Sequence, residues 1–239
     1  MRLSLISFLL WLLWPASLVA EQRAVVVELF TSQGCSSCPR AEAVMPDLVA
    51  RDDVIALSLH VDYWDYIGWA DPFADPAHAE RQRGYARVAG RRMVHTPQMI
   101  VNGVAHVAGA DVSVLARAMD AARAAPQAVS LELTRDDGGL RIRARATEAR
   151  GVAGGPFDVH LLRYAPKRAA HVTRGENAGR TMVSHNVVED WARLGRWDGQ
   201  GVLETVAPLE GDRPAVVLIQ APGPGRILAA AVLVPEGDG

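Results

Sequence analysis

The chain has 239 residues, with 25 basic and 27 acidic side chains and a formal net charge of −2. That near balance excludes a strongly basic nucleic-acid binder, and 49% hydrophobic with 22% charged residues is too apolar for a disordered chain. Two cysteines are too few for a disulfide-stapled miniprotein or a cysteine-rich zinc module.

Arg2 precedes an apolar run rich in Leu and Trp, which ends at Pro15 and the small residues Ala16, Ser17 and Ala20. A basic start, an apolar core and a small-residue exit predict a secretory signal peptide over residues 1–20, cut after Ala20. An uncut membrane anchor is the alternative, because the run approaches spanning length before Pro15 shortens it. Either way the body is exported, to the periplasm or beyond, where disulfides persist.

From 24 to 125, strand-like and helix-like segments alternate. Residues 24–30 form an apolar run broken only by Glu28, as in a buried central strand. Ala41, Val44, Met45, Leu48 and Val49 recur at helical spacing, with Pro46 expected to kink or shorten the helix. A second strand is read at 55–61. Asp75-Pro76 then reads as the N-cap and first residue of a helix to about Ala89. Asn102-Gly103 suits a type I′ hairpin turn, and Asp111 can cap a last helix. After Pro126 the pattern changes to short strands at 130–133, 140–146, 157–162, 181–188, 215–220 and 227–234, separated by Gly- and Pro-rich turns. The expected architecture is an α/β domain over 21–126 followed by a small all-β sandwich or barrel-like domain over 127–239.

The chemistry concentrates at Gly34-Cys35-Ser36-Ser37-Cys38-Pro39, between the first strand and the first helix. Cysteines three apart at a helix start can meet as the disulfide Cys35–Cys38 or as a dithiol. The helix N-terminus is expected to stabilise an exposed Cys35 thiolate, with Cys38 more buried and suited to resolving the intermediate. A purely structural disulfide would constrain only a four-residue loop, by about 2 kcal/mol. Metal capture is the other alternative, with His60, His95 and His106 as candidate ligands for Cu(I) or Zn²⁺ beside the two thiolates. Neither a phosphate-binding lysine loop nor an ordered Ser/His/Asp set stands out, so no nucleotide and no cofactor is expected. Tyr63, Trp64, Tyr66, Trp69 and Phe73 in the 62–75 segment suit a docking lid or plain packing over a sheet edge. Arg174, Glu176, Asn177, Arg180, His185 and Asn186 form a polar cluster that reads as a turn network, an interdomain contact or a second site.

The order strand, Cys-x-x-Cys, helix, strand, then Thr96-Pro97 opening a hairpin before a final helix resembles the thioredoxin-like superfamily over residues 24–125. The longer pattern, Glu28-Leu29-Phe30-Thr31-Ser32-Gln33-Gly34 with Arg174-Gly175-Glu176-Asn177 later, looks like a secreted bacterial family of unknown function with a thioredoxin-like first domain. The resemblance implies thiol–disulfide exchange at Cys35 and Cys38 with exported protein or small-thiol substrates and an unidentified redox partner. It implies that Thr96 and a cis Pro97 position the substrate chain, and that Glu28 stands near the place of a buried acid that transfers protons. The competing class is a non-enzymatic metal-binding or protein-binding module using the same dithiol.

Overall fold

A computed structural model describes residues 24–136, 139–148 and 152–234. The expected signal peptide and the middle of the Asp136–Gly139 turn lie outside the described residues. Among these residues, no helix is long and apolar enough to cross a membrane.

The first half follows the sequence pattern closely. Strand β1 (Val25–Thr31) is buried along its whole length and pairs in parallel with β2 (Val54–His60). On its other side it pairs antiparallel with β3 (Gln98–Val101), which pairs with β4 (Ala105–Ala108). Between β1 and β2 the single predicted helix is two short ones, α1 (Cys38–Glu42) and α2 (Met45–Val49). Pro46 sits in the first turn of α2, where its missing N–H costs nothing, and the break before it turns the chain. Helix α3 (Pro76–Val88) is capped by Asp75, whose carboxylate accepts from the Ala77 amide at 2.8 Å. Helix α4 (Val112–Ala124) is capped by Asp111, which accepts from the Ser113 and Val114 amides. In the β3–β4 turn Asn102 and Gly103 both have positive φ (45° and 69°), as a type I′ turn requires. A Cβ on Gly103 would also stand 2.1 Å from the Gly225 carbonyl oxygen, so only glycine fits there.

In the second half β5 (Val129–Asp136), β6 (Gly139–Ala146) and β9 (Val202–Ala207) form a separate three-stranded sheet. The other strands, β7 (Phe157–His171), β8 (Thr181–Trp197), β10 (Ala215–Gln220) and β11 (Ile227–Leu233), do not build a domain apart. They extend the first sheet into eight strands ordered β11-β10-β7-β8-β2-β1-β3-β4. The junction is a parallel contact of β8 with β2 at Ser58 and Val187, reinforced where the Asn186 side-chain amide donates to the Ala56 carbonyl at 2.9 Å.

Three apolar clusters follow from this layout. One packs α3 against the sheet and mixes Phe30, Leu57 and Tyr85 of the first half with Leu162, Val216 and Leu218 of the second. Another holds α1, α2 and α4 against β1–β4 through Leu29, Met45, Leu48, Met99 and Leu115. The third joins the small sheet to β7 and β10 through Leu131, Leu133, Ile142 and Val217. At roughly 1.5–3 kcal/mol for each large apolar side chain buried, the first cluster ties the halves together across the expected boundary near residue 126.

Candidate functional site

The loop after β1 carries both cysteines as free thiols to the end of the sheet where β1 and β2 finish. The Cys35 amide donates to the Ser32 carbonyl and the Cys38 amide to the Cys35 carbonyl, each at 3.2 Å, so the loop closes in successive tight turns. Ser37 is the residue preceding α1, and Cys38 is the first residue of that helix. Cys35 therefore stands three residues ahead of a helix only five residues long. It is also buried, at 1% exposure, rather than exposed as the helix-dipole reading expects.

The thiolate is favoured by donors at the sulfur instead. The Cys38 thiol donates to Cys35 and is the largest influence; burial opposes ionisation; the Ser37 and Thr96 hydroxyls and the Ser37 backbone then add to it. The net result pulls the Cys35 thiol down to about 5. Ser37 Oγ lies 3.3 Å from the sulfur. Burial pushes the Cys38 thiol far above its ordinary range, and the hydrogen bond and charge of Cys35 push it the same way. The Thr96 hydroxyl favours ionisation of both thiols. Its oxygen accepts from the Trp64 indole N–H at 2.6 Å, which leaves the hydroxyl hydrogen free to point at sulfur. The Thr96–Pro97 bond is cis.

Two distant segments hold the loop. In the 62–73 segment, Trp69 Nε1 donates to Gln33 Oε1 at 2.9 Å, and Asp71 Oδ2 accepts from the Gln33 amide at 2.8 Å. Gly34 packs closely under Trp64, since a Cβ there would stand 3.0 Å from the Trp64 Cβ and press on it. Trp64 and Trp69 thus brace the site, while Tyr66 is 82% exposed. From the turn between β7 and β8, the buried Asn177 amide donates to the carbonyls of Gln33 and Cys35, both at 2.9 Å. Glu176 accepts from the Ser36 amide at 3.3 Å. Part of the polar cluster read from the second half is therefore a contact to the cysteine loop. Only the tertiary fold brings it there.

Other residues singled out from sequence go elsewhere. Glu28 is fully buried on the β1 face that meets α3, where Arg81 Nε lies 2.6 Å from Oε1 and the Tyr85 hydroxyl donates to Oε2. Arg81 also stacks over the Trp191 ring at 3.9 Å and bonds to Gln220 at 3.0 Å. The carboxylate sits in an ion pair linking α3 to the sheet, on the face of β1 opposite the layer of α1. Among the candidate metal ligands, His95 is exposed. His106 contacts Gln98 at 3.4 Å and the edge of Tyr85. His60 bonds to Asp71 at 2.7 Å. None joins the dithiol, and no group of three or more His, Cys, Asp or Glu among the described residues is arranged to hold a metal ion.

Sequence reasoning passed over Glu42 and Asp71, and it left Asn177 in a polar cluster with three open readings. Glu42 reads as the polar side of an amphipathic helix, and Asp71 as one of several loop carboxylates. Their burial depends on strands far away in the chain.

Comparison with curated proteins found no match. Among solved structures, a protein of Agrobacterium tumefaciens is 32% identical, with a TM-score of 0.74 over 92% of this chain and 99% of that one. HBP35 of Porphyromonas gingivalis shares the fold at 14% identity, with a TM-score of 0.57 over 92% of this chain and 79% of the other. Residues 26–220 match a protein of unknown function (DUF1223), and the chain belongs to that family.

Proposed function

We propose that the protein is an exported thiol–disulfide oxidoreductase, built on a thioredoxin-like unit over residues 24–125 and working through the dithiol Cys35-Ser36-Ser37-Cys38. The observation that carries this reading is the unequal setting of two touching thiols. Donors around Cys35 outweigh its burial and favour its thiolate, while at Cys38 burial and the Cys35 sulfur outweigh the Thr96 hydroxyl and the Ser32 amide. A structural disulfide needs no such difference. In the forward direction the Cys35 thiolate attacks a substrate disulfide, forms the mixed disulfide and releases one substrate thiolate. Cys38 then attacks the Cys35 sulfur and releases the second. The reverse direction uses the same atoms. Thr96 stabilises the Cys35 thiolate, and the Pro97 loop offers its backbone to an extended partner. Because Cys35 is buried, a substrate reaches it by displacing the Asn177 and Glu176 contacts over the loop.

The direct test is trapping in exported extracts. With Cys38→Ser, mixed disulfides between Cys35 and exported proteins accumulate; with Cys35→Ser they do not. Equal alkylation of both cysteines, with no trapped partner in Cys38→Ser, overturns the proposal. The leader has its own check, an N-terminus near Glu21 by mass spectrometry of exported protein. Intact Met1 in a membrane fraction replaces the soluble form by an anchored one.

A further inference from the structure

The rim of the dithiol carries exposed apolar side chains on segments that converge there. The chain from Ala89 to His95 runs up to Thr96, and the 62–73 segment is joined to it by the Trp64–Thr96 hydrogen bond at 2.6 Å. A Cβ on Gly175 would stand 3.5 Å from the Trp69 Cβ, so the β7–β8 turn adjoins the same segment. Met93 lies three residues before Thr96, and Tyr66 two residues after Trp64. At 81% and 82% they are the most exposed large apolar side chains among the described residues; the next, Val234, is 61% exposed. Single exposed apolar residues are ordinary, but the two extremes of this surface flank one bond beside the sulfurs.

Arginines stand on the same segments. Arg91 and Arg92 precede Met93, Arg40 follows Cys38 by two residues on α1, and Arg174 lies two residues before Glu176 in the β7–β8 turn. All four are exposed, and none makes an ion pair among the described residues. Burial lowers the pKa of His106, and the charges of Arg91 and His95 push it the same way. His106 contacts Gln98, the residue after Pro97, so Arg91 acts on the hairpin that Pro97 opens. With Arg180, which donates to Asn177 Oδ1 at 3.1 Å, five arginines stand on these segments against the carboxylates Asp62, Asp65 and Glu176. Asp62 and Asp65 are half-buried, Asp65 accepts the Asp71 amide, and Glu176 accepts the Ser36 amide. The rim is therefore positive on a chain whose formal charge is −2.

We propose that this rim is the docking surface for the substrate chain, and that it selects exported polypeptides whose cystine is flanked by acidic and apolar residues. The inference rests on the exchange reading above and adds the class of substrate. Arginine, methionine and tyrosine are among the residue types enriched where proteins bind one another. The guanidinium fork holds a carboxylate by two parallel hydrogen bonds. Met93 can adapt to the shape of an apolar side chain, and Tyr66 offers a rigid flat face. Because the arginines stand on segments leading to Thr96, to α1 and to the β7–β8 turn, acidic residues on either side of a substrate cysteine find partners. The positive rim also raises the rate of encounter with an anionic chain before any bond forms, and opposes a basic one. The exchange at sulfur is unchanged: Cys35 forms the mixed disulfide, and Cys38 resolves it.

The test uses reduced protein and synthetic peptide disulfides that differ only in the residues beside the cystine, which are Glu, Gln or Lys. Each rate of reduction is divided by that of the same peptide with mercaptoethanol, which removes intrinsic differences between the disulfides. At about 10 mM ionic strength the Glu peptide should react about ten-fold faster than the Lys peptide, and at about 1 M salt less than about two-fold faster. The double variant Arg91→Ser/Arg92→Ser should lose most of that preference and keep the parent rate with hydroxyethyl disulfide, which is small and uncharged. Met93→Ser should slow a Glu peptide carrying Leu beside the cystine more than one carrying Ser. Equal rates for the Glu and Lys peptides at low salt overturn the proposal and leave the exchange reading intact. So does a preference that the double variant retains, or a double variant slowed equally with every disulfide, which would place the arginines' effect on Cys35 itself. No reaction with any disulfide removes the exchange reading and this inference with it.

Discussion

Replacing Thr96 by Val keeps the shape of the side chain and removes one donor from the Cys35 thiolate. In the folded protein the Thr96 hydroxyl is one of the groups that bring the Cys35 thiol down to about 5, after Cys38 and Ser37. A hydrogen bond to a charged group contributes about 1.5–3 kcal/mol, and each 1.36 kcal/mol is one pH unit of ionisation. Losing it should move the Cys35 thiol to about 6–7. At pH 5.5 the alkylation rate should then fall about 3- to 25-fold, with the two proteins converging above about pH 8. The assay is the pH profile of iodoacetamide modification at Cys35, read by peptide mass spectrometry on reduced protein. Thr96→Ser, which retains the hydroxyl, should follow the parent. Because Val also strips Trp64 Nε1 of its acceptor at 2.6 Å, the Val variant should lose about 1–3 kcal/mol of stability. A Val variant whose alkylation midpoint matches the parent refutes the claim that donors at the sulfur, rather than the short helix, set the Cys35 pKa.

Reduced protein should gain stability relative to oxidised protein between about pH 5 and pH 8.5. In that window the unfolded Cys35, near its free value of about 8.5, binds a proton that the folded thiolate lacks. This contribution is fully present above the unfolded value and is lost as pH falls through about 5. Above about 8.5 the raised pKa of Cys38 reverses the trend; urea titrations showing a flat difference between the two redox forms would sink the assignment. Glu28→Gln should cost about 3–5 kcal/mol, because it leaves the Arg81 charge buried without its partner. Denaturation of the oxidised protein measures this, and a loss of exchange without that loss of stability would return Glu28 to proton transfer. Asn177→Ala removes both donors to the Gln33 and Cys35 carbonyls and should speed Cys35 alkylation at pH 7.5, where the thiolate is complete. An unchanged rate means that the β7–β8 turn does not limit access.

Much of the first half is legible without coordinates, because its signals are local. A run of apolar residues makes β1, Asp75 and Asp111 cap their helices, Asn102-Gly103 closes a hairpin, and Pro46 divides a helix. The second half misleads for a physical reason. Segments 157–162 and 181–188 are read as short strands, whereas β7 runs to His171 and β8 to Trp197. Their outer portions are exposed and polar and are held mainly by pairing with each other, so no apolar alternation marks them. The strand Val202–Ala207 is missed for a similar cause, since its one partner among the described residues is β6 and Ala207 alone of its side chains is buried.

The sequence by itself determines the position of the dithiol, its place between a strand and a helix, and the separation of Thr96-Pro97 from it along the chain. Those follow from spacing and from propensities that act over a few residues. The tertiary structure decides which groups surround the sulfurs. Glu28 looks like the buried acid of the site, yet the alternation of β1 turns it toward Arg81 on the opposite layer from Glu42 and α1. Glu42, His60 and Asp71 become a cluster only when β2, α1 and the 62–73 segment pack together, and Asn177 reaches the loop from 142 residues away. Burial and charge pairing depend on neighbours in space. Such neighbours are set by how the sheet is assembled, which no local pattern encodes.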